Sequence, residues 1–139
     1  MAIANKIEGE ISMNFEVLTS KNAPAAIGPY CQGTKQGRLI LTSGQLPINP
    51  ATGELCEDVK EATKQSLTNC LEVVKAGGGE LTDISKCTVL LRDINDFAAV
   101  NEVYAAFFGD HKPARSCFQV GALPKNAPVE IEVIAYVAE

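Results

Sequence analysis

A chain of 139 residues, 46% hydrophobic and 21% charged, is long enough to bury one ordinary core and too apolar for intrinsic disorder. Its net charge of −5, with Lys and Arg scattered, argues against an electrostatic nucleic-acid binder. Five widely spaced cysteines without a C-x-x-C pair, and one histidine without a ligand partner at metal spacing, argue against a disulfide scaffold or a zinc site. Reduced thiols suit a cytoplasmic location, and His111 reads as a solvated loop residue.

Met1–Ser12 lacks an apolar run of signal-peptide length, carries Glu8 and Glu10, and has no arginine, unlike a transit peptide. No window approaches the length of a membrane span. With Met13 as an alternative start, residues 1–12 read as an N-terminal extension or an added leader, and 13–139 as a single domain.

Phe15–Leu18 reads as a first strand. Asn22–Pro29, with two prolines and a glycine, is a draped loop, and Tyr30–Thr34 with Arg38–Ser43 forms a hairpin turning near Gln36-Gly37. Leu46–Glu54, with two prolines and a Thr-Gly turn, is a loop leading to a helix. From about Glu57 to Ala76, Val59, Ala62, Leu67, Cys70, Val73 and Val74 recur at helical spacing. The triplet Gly77-Gly78-Gly79 follows this helix and does not open one, so it is a C-terminal cap rather than a phosphate loop.

Ile84–Leu91 is a strand, and residues 94–108 a second helix with the stripe Phe97, Val100, Tyr104, Phe107 and Phe108, capped by Asp93 or Asn95. Arg115–Gly121 and Val129–Val137 close the chain as strands. The order β-β-β-α-β-α-β-β predicts an α+β domain with one sheet and two helices on one face. Leu39-Ile40-Leu41, Val89-Leu90-Leu91 and Val133–Val137 are apolar on both faces, yet no segment remains to cover the second face. A homo-oligomer packed through the sheets is expected.

The chemistry concentrates in Pro113-Ala-Arg-Ser-Cys117 and Val129-Glu-Ile-Glu132, expected on neighbouring strands. Strand alternation puts Arg115 and Cys117 on one face. Arg115 is a fork for a substrate carboxylate, and Glu130 facing it could position or activate water. Asn101, on the apolar stripe of the second helix, needs hydrogen-bond partners or faces a pocket. Ser43-Gly44 ends a strand where glycine permits close approach of a ligand. Cys117 has no histidine to serve as its base and reads as a packed or pocket-lining thiol.

These residues resemble the Rid family, the reactive intermediate deaminases, also called the YjgF family. The matching runs are Asn22-Ala-Pro-Ala-Ala-Ile-Gly-Pro-Tyr30, Leu41-Thr-Ser-Gly-Gln-Leu-Pro47, Asp96-Phe97 with Asn101 and Tyr104, Pro113–Cys117, and Leu123-Pro-Lys125 with Glu130-Ile-Glu132. The resemblance implies a chorismate-mutase-like fold assembled as a homotrimer with sites at subunit interfaces. It also implies hydrolysis of 2-aminoacrylate and 2-aminocrotonate, or their imine forms, to 2-keto acids and ammonia without a cofactor or metal. In that pattern Arg115 would hold the substrate carboxylate, Glu130 would align water and Tyr30 would close the pocket, which Ser43, Gly44, Asn101 and Cys117 would line.

One departure stands out. Lys112 occupies the place where an aromatic residue often precedes Pro-Ala-Arg in that family, and the segment Phe107–Pro113 looks short, so the family pattern does not carry over to the pocket rim or to substrate preference. Other readings are a translation inhibitor or endoribonuclease, which the acidic balance and lone histidine oppose, and a non-catalytic small-molecule-binding protein using the same clefts.

Overall fold

The computed structural model describes residues 14–138, so the assignment of residues 1–12 as an extension lies outside the described residues. The elements are β1 (Phe15–Leu18), β2 (Gly33–Gln36), β3 (Leu39–Thr42), α1 (Val59–Ala76), β4 (Ile84–Leu91), α2 (Phe97–Phe108), β5 (Ala114–Gln119) and β6 (Val129–Tyr136), in the expected order. They form one six-stranded mixed sheet in the order β1-β2-β3-β6-β4-β5. Every pairing is antiparallel except β4 with β5, which α2 connects as a crossover.

β6 inserts between β3 and β4, so two strands adjacent in sequence at the end of the chain, β5 and β6, are not neighbours in the sheet. This corrects the expected pairing of the Arg115 and Glu130 strands. Alternating apolar residues explain the insertion. Val129, Ile131, Val133 and Ala135 are all buried, and a strand with such a face gains most at the centre of a sheet.

α1 starts at Asp58, whose carboxylate accepts from the Glu61 amide at 3.0 Å. Its inner face buries Ala62, Leu67, Cys70, Val73 and Val74 against the sheet, and the Cys70 thiol donates to the Ile131 carbonyl at 3.2 Å. The glycine triplet caps it as expected. The Gly79 amide donates to Val74 O and that of Gly78 to Lys75 O, with Gly78 at φ +86°. Asp93 caps a 3-10 turn (Ile94–Asp96) that leads into α2, its side chain accepting from the Asn95 amide.

The hairpin turns at Gly37, at φ +61°, but its first strand begins at Gly33 rather than Tyr30. Residues 30–32 stay in a loop because Gln32 turns its side chain to the chain upstream. The helix-covered sheet face is buried, whereas Phe15, Val17, Leu39, Leu41, Phe118, Ile134 and Tyr136 are exposed on the other, the uncovered apolar face the sequence implies. Among the described residues no helix is long and apolar enough to cross a membrane, and all five cysteines are free thiols.

Candidate active site

The predicted site residues fall into two groups, one on each face of the sheet. Arg115 pairs with Cys87 and Glu130 with Leu90, both partners on β4. Positions 87 and 90 differ by three, so the side chains of Arg115 and Glu130 leave the sheet in opposite directions. Within one chain they do not meet.

The first group lies under α2. Arg115 donates from Nη1 to Asn101 Oδ1 at 2.7 Å, and its guanidinium carbon sits 4.8 Å from the Tyr104 ring centroid and 5.5 Å from that of Phe97. Asn101 and Tyr104 are three apart on α2 and therefore share the helix face that meets β5. Two aromatic faces and one amide fix the cation's plane while leaving it free of carboxylates: among the described residues Arg115 forms no ion pair. The cleft beside it, about 500 Å³, is lined by Asn101, Tyr104, Phe108, Lys112, Pro113 and Arg115, among others.

Cys117 is two residues on from Arg115 and half-buried. Burial raises its thiol pKa against the opposing pull of Arg115, so at neutral pH it is a packed thiol rather than a nucleophile. Tyr104 was legible in the helical stripe and in the family resemblance, but without a role. Its hydroxyl is buried beside the Cys87 thiol with no nitrogen or oxygen partner among the described residues, and burial pushes its pKa up. His111 is not a solvated loop residue: its Nε2 lies 2.6 Å from the Ile84 carbonyl and its ring packs near Phe108.

The second group surrounds a cleft of about 620 Å³ lined by Tyr30, Ser43, Gly44, Lys125 and Glu130, among others. Burial, and then the neighbouring Glu132, raise the Glu130 carboxyl above the usual glutamate range. A methyl group on the Gly44 Cα would meet the Glu130 carboxylate, so glycine here lets that side chain keep its position. Ser43, which lines the cleft, donates from Oγ to the Cys31 carbonyl at 2.7 Å and keeps its lone pairs free to accept. The Tyr30 ring is 55% exposed at the mouth.

Gln32 organises this mouth and was not singled out by sequence reasoning. Its Nε2 lies within 3.1 Å of the carbonyls of Ser20, Ala23 and Pro24, and its Oε1 accepts from the Ser20 amide at 2.6 Å. One buried amide thereby replaces the missing backbone ladder of the Asn22–Pro29 loop. The usable signal was a lone glutamine just after a Pro- and Ala-rich segment.

Residues 20–137 match the profile of the family described as Endoribonuclease L-PSP. A protein of Escherichia coli named 2-iminobutanoate/2-iminopropanoate deaminase is 51% identical over 123 residues, covering 86% of this chain and 96% of its own. A RutC family protein of Pyrococcus horikoshii is 49% identical over 122 residues, covering 87% and 97%. The crystal structure of the E. coli YjgF product superposes with a TM-score of 0.85 at 50% identity over 87% of this chain and 98% of that one. That of E. coli TdcF with bound serine gives 0.86 at 46%, over 88% and 99%. Sequence and fold thus agree over nearly the whole described chain, which belongs to the Endoribonuclease L-PSP family, the family of the YjgF product.

Proposed function

We propose that this protein is an enzyme that hydrolyses the reactive 2-imino acids, and their enamine tautomers, derived from 2-aminoacrylate and 2-aminocrotonate. The products are ammonia and the corresponding 2-keto acid. The observation that carries the reading is Arg115, a cation held by Asn101 and two rings, without a carboxylate partner among the described residues, facing an open cleft. Its relatives' names support it, since the E. coli protein at 51% identity is named for this activity. The endoribonuclease reading is less well supported: the sole histidine is committed to a backbone carbonyl.

In this reading Arg115 binds the substrate carboxylate through the guanidinium edge that Asn101 leaves open. Water adds to C2 of the imine, and Glu130, with its raised pKa, takes a proton from that water and returns it to the departing ammonia. Asn101, Ser43, Gly44 and Cys117 shape the pocket, and Tyr30 covers it. An imine is already electrophilic, so a clamp and a base supply the modest acceleration needed.

Because Arg115 and Glu130 face opposite ways, the site is assembled between copies. We assign a homotrimer in which residues 13–139 form each single-domain protomer, the apolar sheet faces pack together, and the Arg115 cleft of one copy meets the Glu130 cleft of the next. Closed rings of such head-to-tail contacts repeat one composite site per interface. The free thiols favour a cytoplasmic location. The test couples a serine or threonine dehydratase to the purified protein and follows imine by semicarbazide trapping. Faster keto-acid release with wild type but not with Arg115→Ala is expected, and no acceleration by wild type would overturn the reading.

A further inference from the structure

The Arg115 cleft contains a second cation. Lys112 lines it, and neither Lys112 nor Arg115 forms an ion pair with any described carboxylate. Among the described residues the Lys112 ammonium has one hydrogen bond, a long one of 3.5 Å to the Gly109 carbonyl. Its backbone is nonetheless well placed. Phe108 ends α2, Gly109 turns the chain at φ +62°, and His111 is anchored to the Ile84 carbonyl on the one side of Lys112. Pro113 follows on the other side and restricts Lys112 to extended backbone. Lys112 and Arg115 line the same cleft, so the ends of both side chains can reach one small ligand.

Charge balance then bears on the ligand. No acidic residue lines the Arg115 cleft, and the cleft that carries Glu130 brings Lys125 with it. Three cations thus face one carboxylate with a raised pKa. A substrate with a single carboxylate neutralises Arg115 and leaves Lys112 facing only water.

We propose that Lys112 is a specificity-determining residue that extends the substrate range to 2-imino acids bearing a second, side-chain carboxylate, with 2-iminosuccinate as the small representative. The inference rests on the deaminase reading above. The reaction balances in the same way: water adds across C=N, the C–N bond breaks, and the 2-keto dicarboxylate and ammonia leave. Arg115 holds the carboxylate on C2 and Lys112 the distal one. The supplying reaction is the oxidation of an acidic amino acid by a flavin-dependent oxidase, which releases this imine directly.

The test generates 2-iminosuccinate with an aspartate oxidase and 2-iminobutanoate with an amino-acid oxidase, and compares kcat/KM for the two in wild type, Lys112→Gln and Lys112→Arg. In wild type the dicarboxylate is expected to be hydrolysed at least as efficiently as the monocarboxylate. The ratio of the two values falls about five- to tenfold in Lys112→Gln, the scale of one charge-assisted hydrogen bond in a half-open cleft, and recovers in Lys112→Arg. Raising the salt concentration lowers the wild-type ratio and leaves that of Lys112→Gln nearly flat. An unchanged ratio in Lys112→Gln, or a wild type that hydrolyses only 2-iminobutanoate, overturns the role of Lys112 and leaves the deaminase reading standing. Failure to hydrolyse either imine overturns both.

Discussion

Arg115 and Asn101 meet through a 2.7 Å hydrogen bond between the edge strand of the sheet and the helix that feeds it. The bond uses one terminal nitrogen of the guanidinium and so determines which edge is left for an anion. Arg115→Ala is predicted to lower kcat/KM by about 2–5 kcal/mol of transition-state binding, on the order of 30- to several-thousand-fold. Asn101→Ala is predicted to lose about 1–2 kcal/mol, and the double variant no more than Arg115→Ala alone, because Asn101 acts through the arginine. Steady-state kinetics on the three variants form the cycle, and full additivity would assign Asn101 a separate role.

Glu130 titrates above the ordinary glutamate range because it is partly buried and lies near Glu132. A base must be deprotonated, so activity is present above this raised pKa and is lost as pH falls through it. The pH profile of kcat/KM should therefore show an acidic limb set by Glu130, and Glu132→Gln should move that limb down. The linked stability effect has the opposite sense: the folded state binds this proton more tightly, so the contribution of Glu130 to stability is greatest at low pH and is lost as pH rises through the folded value.

Since the two clefts lie on opposite faces, defects in them are expected to complement between chains. Arg115→Ala and Glu130→Gln should each be nearly inactive. Unfolded together and refolded, random three-membered rings should regain about a quarter of the wild-type activity, because intact halves meet at that share of interfaces. A mixture as inactive as its parents would place both residues in the same-chain site and remove the composite arrangement.

Gly44→Ala separates activity from stability. The added methyl meets the far end of the Glu130 side chain, which can swing aside. The melting temperature should move by only a few degrees, on the scale of about 1 kcal/mol, while kcat falls at least tenfold as the base is displaced. Thermal melts beside kinetics decide it, and a kcat near wild type would show that the Glu130 position is not critical.

Tyr104→Phe removes a buried hydroxyl that has no nitrogen or oxygen partner among the described residues. Deleting an unsatisfied polar group is neutral or stabilising, so the variant should match or exceed wild type in denaturant midpoint, by up to about 1 kcal/mol. A loss larger than that would mean that the contact with the Cys87 thiol is a real hydrogen bond.

The helices, five of the six strands to within two residues, and the bare second face of the sheet could be read from periodicity and glycine punctuation, because those signals are local. The early start of the hairpin at Tyr30 could not, since Gln32 diverts residues 30–32 into contacts with Ser20, Ala23 and Pro24. Strand order was equally out of reach: nothing local says that β6 passes β5 to pair with β3, yet that one choice separates Arg115 from Glu130. Arg115, Glu130 and Asn101 stood out by residue type, but the partner of each, and the face it uses, depends on contacts far along the chain. His111 looked like a loop residue because its carbonyl partner, Ile84, is 27 positions away.

The four contacts made by the Gln32 amide have a thermal consequence. The loop that ends in Tyr30 has little regular structure of its own and is held chiefly by this side chain, whereas the sheet beneath it is tied by six strands and a packed helix layer. Such a segment opens at lower free energy than the body of the protein. On warming, the mouth of the Glu130 cleft should therefore come loose first, and the protein should fall idle at temperatures where circular dichroism still reports an intact fold, regaining its rate in full on cooling.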